Sequence, residues 1–173
     1  GWQVELNSDA LPRVVANRSF YARVSKNPDK AARSFVDEHW TNANWIVRSL
    51  EQRARTILKV ATEIVRQQDG FFTYGVAHLR PLNLKIIADA VQLHESTISR
   101  VTANKYMATP RGLFEMKYFF TAAIAAASGG EAHSAEAVRH HIKQLIDGEA
   151  PSAILSDDTI VERLRASGID IAR

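Results

Sequence analysis

Apolar positions fall three and four apart through much of the chain, and the pattern is sharpest between residues 84 and 106. There Leu84, Ile87, Ala88 and Val91 share one face of a 3.6-residue period. After Gln92, Leu93 and His94, the polar run Glu95, Ser96, Thr97 supplies helix-start chemistry, and Ile98 and Val101 resume the apolar spacing. Two short helices joined by a tight turn are predicted. Helices that cross so closely need a small residue at the crossing, and Ala88 stands there. Gln92 occupies the turn position where such motifs customarily carry glycine. The stretch reads as a helix-turn-helix.

Upstream, residues 31–69 contain neither Pro nor Gly, and Ile46, Leu50, Ile57, Ala61 and Ile64 keep helical spacing. A continuous helix over this stretch would span ~58 Å at 1.5 Å per residue. Trp40, Asn42 and Asn44 mark a place for a bend near residues 41–43, so one long helix and two bent helices both fit the pattern. At the N-terminus Trp2, Val4 and Leu6 alternate with Gln3 and Glu5, the two-residue period of a half-buried strand whose nearest candidate partner is residues 13–16. Phe20, Tyr21 and Val24 suit a short helix before Asn27-Pro28-Asp29 turns the chain.

Downstream of Asp69-Gly70, Phe71, Phe72 and Tyr74 form an aromatic cluster that we assign to the core in preference to base stacking. Thr109-Pro110-Arg111-Gly112 is a turn signal. Leu113, Phe114, Met116, Tyr118, Phe119 and Phe120 after it are too apolar for exposure and should close the core. Residues 122–127 read as a weakly specified helical tail, and Ser128-Gly129-Gly130 as a flexible joint. Beyond it Ser134 can cap a helix carrying Val138, Ile142 and Leu145, which ends at Gly148. Another helix starts after Ser156, with Leu155 and Ile160 as a hydrophobic staple, and runs through Val161 and Leu164 to Ser167-Gly168-Ile169. That ending repeats the first half of a helix-turn-helix. The predicted fold is all-α with a short N-terminal β-strand segment: an extra-long helix, a helix-turn-helix bundle and a small C-terminal helical domain.

Composition narrows the function. No run of about eighteen apolar residues and no signal-peptide layout appears, so the chain is expected not to engage a membrane. The 173 residues include no cysteine, which removes thiolate metal sites and agrees with a cytoplasmic protein. The start at Gly1 instead of Met reads as that of a trimmed fragment. Net charge is only +3, but its place matters. Between residues 76 and 120, Arg80, Lys85, Arg100, Lys105, Arg111 and Lys117 stand against Asp89, Glu95 and Glu115, while the remaining residues balance. The excess positive charge therefore lies in and beside the helix-turn-helix, as a phosphate-facing surface requires.

With Ile98 and Val101 turned inward, Ser96, Arg100 and Ala103 centre the opposite face, flanked by Ser99 and Asn104. Arg100 could donate bidentately to guanine O6 and N7, the serines could bond bases or phosphates, and Ala103 could approach a thymine methyl. His133, His140 and His141 invite a metal reading, but adjacent helical residues point about 100° apart and cannot readily share an ion. No metal or other cofactor is predicted. No phosphate loop and no nucleophile-base arrangement at known spacing occurs, so the chain reads as a non-enzyme.

The strings HESTISRVTANKY, residues 94–106, and TPRGLFEMKYFF, residues 109–120, resemble the DNA-binding part of the sigma-54 (RpoN) family of bacterial RNA polymerase sigma factors over unbroken runs. Residues 2–12 resemble the end of that family's core-polymerase-binding region, and residues 31–72 its extra-long helix. Ala172-Arg173 matches the first two residues of the RpoN box, ARRTVAKYRE. The resemblance implies residues 1–30 as the end of the core-polymerase-binding region and 31–75 as the extra-long helix. It further implies 76–127 as the helix-turn-helix domain, 128–133 as the joint, and 134–173 as an incomplete helical domain leading into the RpoN box.

The same resemblance implies a transcription initiation factor that joins core RNA polymerase and reads promoter DNA with an upstream GG and a downstream GC element. The complex would stay closed until an AAA+ enhancer-binding activator, acting through regions missing here, hydrolyses ATP. DNA-binding residues on this reading are His94, Glu95, Ser96, Thr97, Ser99, Arg100, Ala103, Asn104 and Lys105 for the helix-turn-helix, and Arg173 for the RpoN box, with Arg100 foremost. A piece cut at Arg173 is expected to bind promoter DNA weakly and not to support initiation. A stand-alone helix-turn-helix regulator with a palindromic site, and a helical protein-interaction scaffold, are the alternatives.

Overall fold

The computed structural model describes residues 1–26, 28–126, 132–150 and 153–169. The chain divides into two compact units, one made of residues 5–58 and the other of residues 59–173 with 1–4.

In the first unit, α1 (Arg18–Val24) begins at Asn17, whose side chain accepts from the Phe20 amide at 2.9 Å. The Tyr21 ring stacks on Trp40 with centroids 4.5 Å apart, and its hydroxyl donates to Asp37 at 2.8 Å. That bond, with burial and the Asp37 charge behind it, pushes the Tyr21 phenol above its ordinary pKa. Helix α2 (Lys30–Gln67) is continuous, so the bend expected near residues 41–43 does not occur. Two polar side chains at that place bond back to the helix's own carbonyls. Thr41 Oγ1 donates to the Asp37 carbonyl at 2.9 Å and Asn44 Nδ2 to the Trp40 carbonyl at 2.8 Å, so neither competes for a non-helical backbone.

The second unit starts where α2 turns apolar on one face: Val60, Ala61, Ile64 and Val65 are buried. Helix α3 (Asp69–Tyr74) follows, then α4 (Leu84–Val91) and α5 (Glu95–Thr102). Phe71 is fully buried and packs edge-on against Phe72, Phe114 and Phe119, while Tyr74 is exposed. The aromatic cluster is thus core except at its last member. Gln68 is fully buried as well. Its amide nitrogen donates to the Arg80 carbonyl at 2.8 Å and the Phe119 carbonyl at 3.3 Å, and its oxygen accepts from the Arg80 amide at 2.9 Å. One glutamine therefore ties the strap before α4 to the segment after α5, with its polar atoms paired as burial demands.

After α5 come two antiparallel pairs: β1 (Tyr106–Thr109) with β2 (Gly112–Glu115), and β3 (Ala123–Ile124) with β4 (His133–Ser134). Helices α6 (Ala135–Asp147) and α7 (Asp157–Ala166) complete the unit. A second, smaller cluster of Val138, Leu164 and Ile169 joins them, with Ile124, Ile142, Leu145 and Ile160 against it.

The architecture is mostly helical, as predicted, but the strands are not where the pattern placed one. Residues 1–7 form no strand; Val4 packs on the larger core and Trp2 rests on Phe72 at 5.8 Å, so the alternation serves side-chain packing without a ladder partner among the described residues. The expected helical tail at 122–127 is extended instead: Ala123 and Ile124 pair with Ser134 and His133, and Ala126 bridges to Ile169. Residue 127 and the predicted joint 128–130 lie outside the described residues. Leu113, expected inside, is 69% exposed, because a two-stranded hairpin can turn only one face to the core.

Candidate nucleic-acid interface

Helix α4 starts at Asn83, whose side chain accepts from the Ile86 amide at 2.9 Å. Its buried face of Ile87, Ala88 and Val91 packs α4 against the rest of the larger cluster, and fully buried Ile98 brings α5 onto the same core. Ala88, 3% exposed, is the small residue the crossing required. The turn between the helices is left-handed at Gln92, with φ 55° and ψ 49°. Lys59 Nζ donates to the Val91 carbonyl at 2.7 Å, holding the end of α4 from α2.

His94 caps α5. Its Nδ1 accepts from the Ser96 amide at 3.2 Å and lies 2.8 Å from Ser96 Oγ. Glu95 occupies the first turn, where a carboxylate suits the positive end of the helix. Thr97 is half-buried and its amide donates to the His94 carbonyl at 2.9 Å. Buried Thr102 bonds back to the Ile98 carbonyl at 2.9 Å as the helix ends.

The outward face of α5 is therefore short. Ser96 and Arg100 are exposed, one turn apart, and Ser99 is half-buried beside them. Among the described residues nothing is bonded to the Arg100 guanidinium, which leaves its whole donor fork available. Ala103 and Asn104 are not on the helix. Ala103 is extended at φ −66° and ψ 129°, and Asn104 is left-handed at φ 51° with its amide donating to Glu115 Oε1 at 3.3 Å. The 100°-per-residue projection fails for these two because α5 ends at Thr102. Lys105 is half-buried and its ammonium donates to the Ala103 carbonyl at 3.4 Å. Arg173 lies outside the described residues.

Not every cation of the local excess faces outward to serve a ligand. Arg111, at the tip of the β1–β2 hairpin, donates from Nε to the Phe72 carbonyl at 3.0 Å and from Nη2 to the Thr73 carbonyl at 2.5 Å. It caps α3 and pins the hairpin. Gly75, at φ 105°, lets it in, since a Cβ there would meet Arg111 Nη1 at 3.2 Å. The hairpin itself was not foreseen; it follows α5 in the chain and leaves Tyr106 and Leu113 exposed. Its turn was visible in Pro110 and Gly112, but the apolar run after the turn hid the alternation. Tyr118 seats the inner face of the hairpin through Phe114, at 5.1 Å, and burial, then the Glu136 charge, pushes its phenol up.

Among the described residues no helix is long and apolar enough to cross a membrane. A family model described as "Sigma-54, DNA binding domain" matches residues 33–173. The chain is 76% identical over 174 residues to RNA polymerase sigma-54 factor 2 of Bradyrhizobium diazoefficiens, covering 100% of this chain and 32% of that relative. It is 62% identical over 174 residues to the RNA polymerase sigma-54 factor of Caulobacter vibrioides, covering 99% of this chain and 35% of that one. The chain thus spans about a third of the length of the curated relatives it matches. Among solved structures it is similar to Aquifex aeolicus sigmaN bound to promoter DNA, with 26% identity and a TM-score of 0.57 over 97% of this chain and 49% of that one.

Proposed function

The chain belongs to the sigma-54 DNA-binding domain family, and from that premise we propose that it is the promoter-reading part of a sigma-54-type transcription initiation factor. Helix α5 enters the major groove at the downstream GC element, and the RpoN-box region beginning at Ala172-Arg173 reads the upstream GG element. The whole factor joins core RNA polymerase, and an AAA+ enhancer-binding activator opens the complex at the expense of ATP. DNA contacts come from His94, Glu95, Ser96, Thr97, Ser99, Arg100, Ala103, Asn104 and Lys105, and from Arg173. What supports the reading most is Arg100: an exposed, unengaged guanidinium on the outward face of a helix whose inward face is fixed by Ile98. A planar donor fork with no partner of its own among the described residues is free to make the bidentate bond that guanine recognition needs.

Two variants test it. Arg100→Ala is expected to cost ~1–3 kcal/mol at the downstream element and to relax discrimination there, whereas Lys105→Ala weakens all duplexes alike. Binding isotherms on promoter duplexes with the downstream GC intact or changed read both. Undiminished discrimination by Arg100→Ala would refute α5 as the reader.

A further inference from the structure

In the unit of residues 5–58, an open groove of about 590 Å³ lies where the start of α1 meets α2. Arg18 of α1 forms one side, and Trp40, Thr41, Asn44, Trp45 and Arg48 of α2 form the rest. Those five positions recur three and four apart, so they make one stripe of the long helix.

The stripe carries two kinds of unused binding capacity. Trp45 is 69% exposed and stacks on no other ring among the described residues, whereas the Trp40 indole is half-buried and already stacked on Tyr21. Arg18 and Arg48 are both exposed, and neither guanidinium is bonded to anything among the described residues. No acid lines the groove. The acids one turn to either side along α2 have partners: Asp37 accepts from the Tyr21 hydroxyl at 2.8 Å, and Glu51 lies 3.5 Å from Arg55. Glu38 stands seven residues before Trp45, about 10 Å along the helix.

This combination selects the occupant. A ligand that satisfies it has a flat π-face for the indole and negative charge within reach of two arginines. An unpaired nucleotide supplies both at every repeat, as base and phosphate. A duplex does not, because its bases are stacked on one another and hide their faces from an indole. An acidic peptide supplies the charge but no face. The α2 side of the groove also falls within residues 33–173, the stretch that matches the DNA-binding domain of the family. The floor has little to read a base edge with. Thr41 Oγ1 and Asn44 Nδ2 already donate to carbonyls of α2, so binding should tolerate any sequence.

We propose that the groove between α1 and α2 is a binding site for single-stranded DNA, in which a base lies on Trp45 and the phosphates beside it are held by Arg18 and Arg48. The site is separate from α5 and does not depend on the reading of that helix.

Fluorescence anisotropy of the whole chain with an end-labelled oligothymidylate of about twelve nucleotides tests it, over a salt series. An abasic strand of the same length keeps the phosphates without the bases, and polyglutamate stands for an acidic peptide. The chain is expected to bind oligothymidylate about tenfold or more tightly than either. Trp45→Ala should lose about tenfold on oligothymidylate and Trp45→Phe about threefold, with the salt slope unchanged, while Arg48→Gln lowers the slope by about 0.7. A thermal melt matching the parent's shows that these exposed substitutions spare the fold. Trp45→Ala within about twofold of the parent overturns the site, as does an abasic strand or polyglutamate bound as tightly as oligothymidylate; the latter would make the groove a general anion or acidic-peptide site. Failure here is distinguishable from failure of the α5 reading, which is read on duplexes: Arg100→Ala should keep its oligothymidylate affinity, and Trp45→Ala its discrimination between duplexes.

Discussion

Helices α4 and α7 leave their last turn in the same way. In each, one residue goes left-handed and the amide after it reaches back five positions: Leu93 to the Ala88 carbonyl and Ile169 to the Leu164 carbonyl, both at 3.0 Å. In each, the residue making that bond is apolar and packs on a core. The difference is the left-handed residue itself, Gln92 at φ 55° in one and Gly168 at φ 85° in the other. Glycine is therefore not what specifies the turn. The returning bond and the buried residue behind it specify it, and a well-packed core can hold a non-glycine residue in a conformation that costs it ~1–2 kcal/mol. The α4 turn is backed by the larger cluster, including Ile87, Val91 and Ile98, whereas the α7 turn closes on Val138 and Leu164.

If core size is what lets Gln92 stand, then emptying the two cores should cost different amounts. Ile98 and Leu164 are both fully buried. Ile98→Ala leaves a cavity in a tightly surrounded site and is expected to cost ~3–5 kcal/mol, near the upper end for such truncations. Leu164→Ala is expected to cost ~2–3 kcal/mol, because partly exposed Ile142 and Ile160 beside it can settle inward. Urea unfolding of each variant measures both. Equal losses would mean that the smaller cluster supports its turn as firmly as the larger one does.

The same contrast marks what could be read before the structure. The buried faces of α4, α5, α6 and α7 followed from apolar spacing, because each helix is long enough to show its period on one side. The hairpin was hidden. Tyr-Met-Ala-Thr and Gly-Leu-Phe-Glu have apolar residues on both faces, so the alternation that reports a half-buried strand is erased where the outer face is itself apolar. Strands of two residues, such as β3 and β4, carry no period at all. Residues 2–6 had the period but pair with no strand among the described residues, and periodicity cannot supply the neighbouring strand. On the candidate site, Arg100 and Ser96 were legible as an outward pair. Ala103 and Asn104 were not, since the projection assumed helix beyond Thr102. Charge counting likewise overstated the surface, because Arg111 is tied to the carbonyls of α3.

Exchanging the two turn residues sharpens the comparison directly. A Cβ added at Gly168 meets nothing within 4 Å, so Gly168→Ala is penalised by backbone conformation alone, ~1 kcal/mol. Gln92→Gly should change stability the other way, by ~0.5–1 kcal/mol, since the strain it relieves exceeds the extra entropy of the unfolded chain. Thermal melts of the two variants give the signs. A loss of stability in Gln92→Gly would show that the Gln92 side chain contributes contacts that outweigh its backbone strain.

The smallest expected effect concerns the helix starts. Ser156, a preferred capping residue, begins α7 and accepts from the Thr159 amide at 3.3 Å, whereas α5 begins at His94, an uncommon cap. His94→Asp would put a stronger acceptor and a negative charge at the positive end of α5, and is expected to stabilise the fold by ~0.3–1 kcal/mol. The same carboxylate would stand on the face proposed to meet DNA, where phosphates repel it. The variant should therefore melt higher and bind promoter duplex more weakly, with the affinity loss shrinking as salt is raised. A variant that gained stability and kept full affinity at low salt would place His94 outside the reach of the phosphates, and would narrow the α5 contact surface to Ser96 and Arg100.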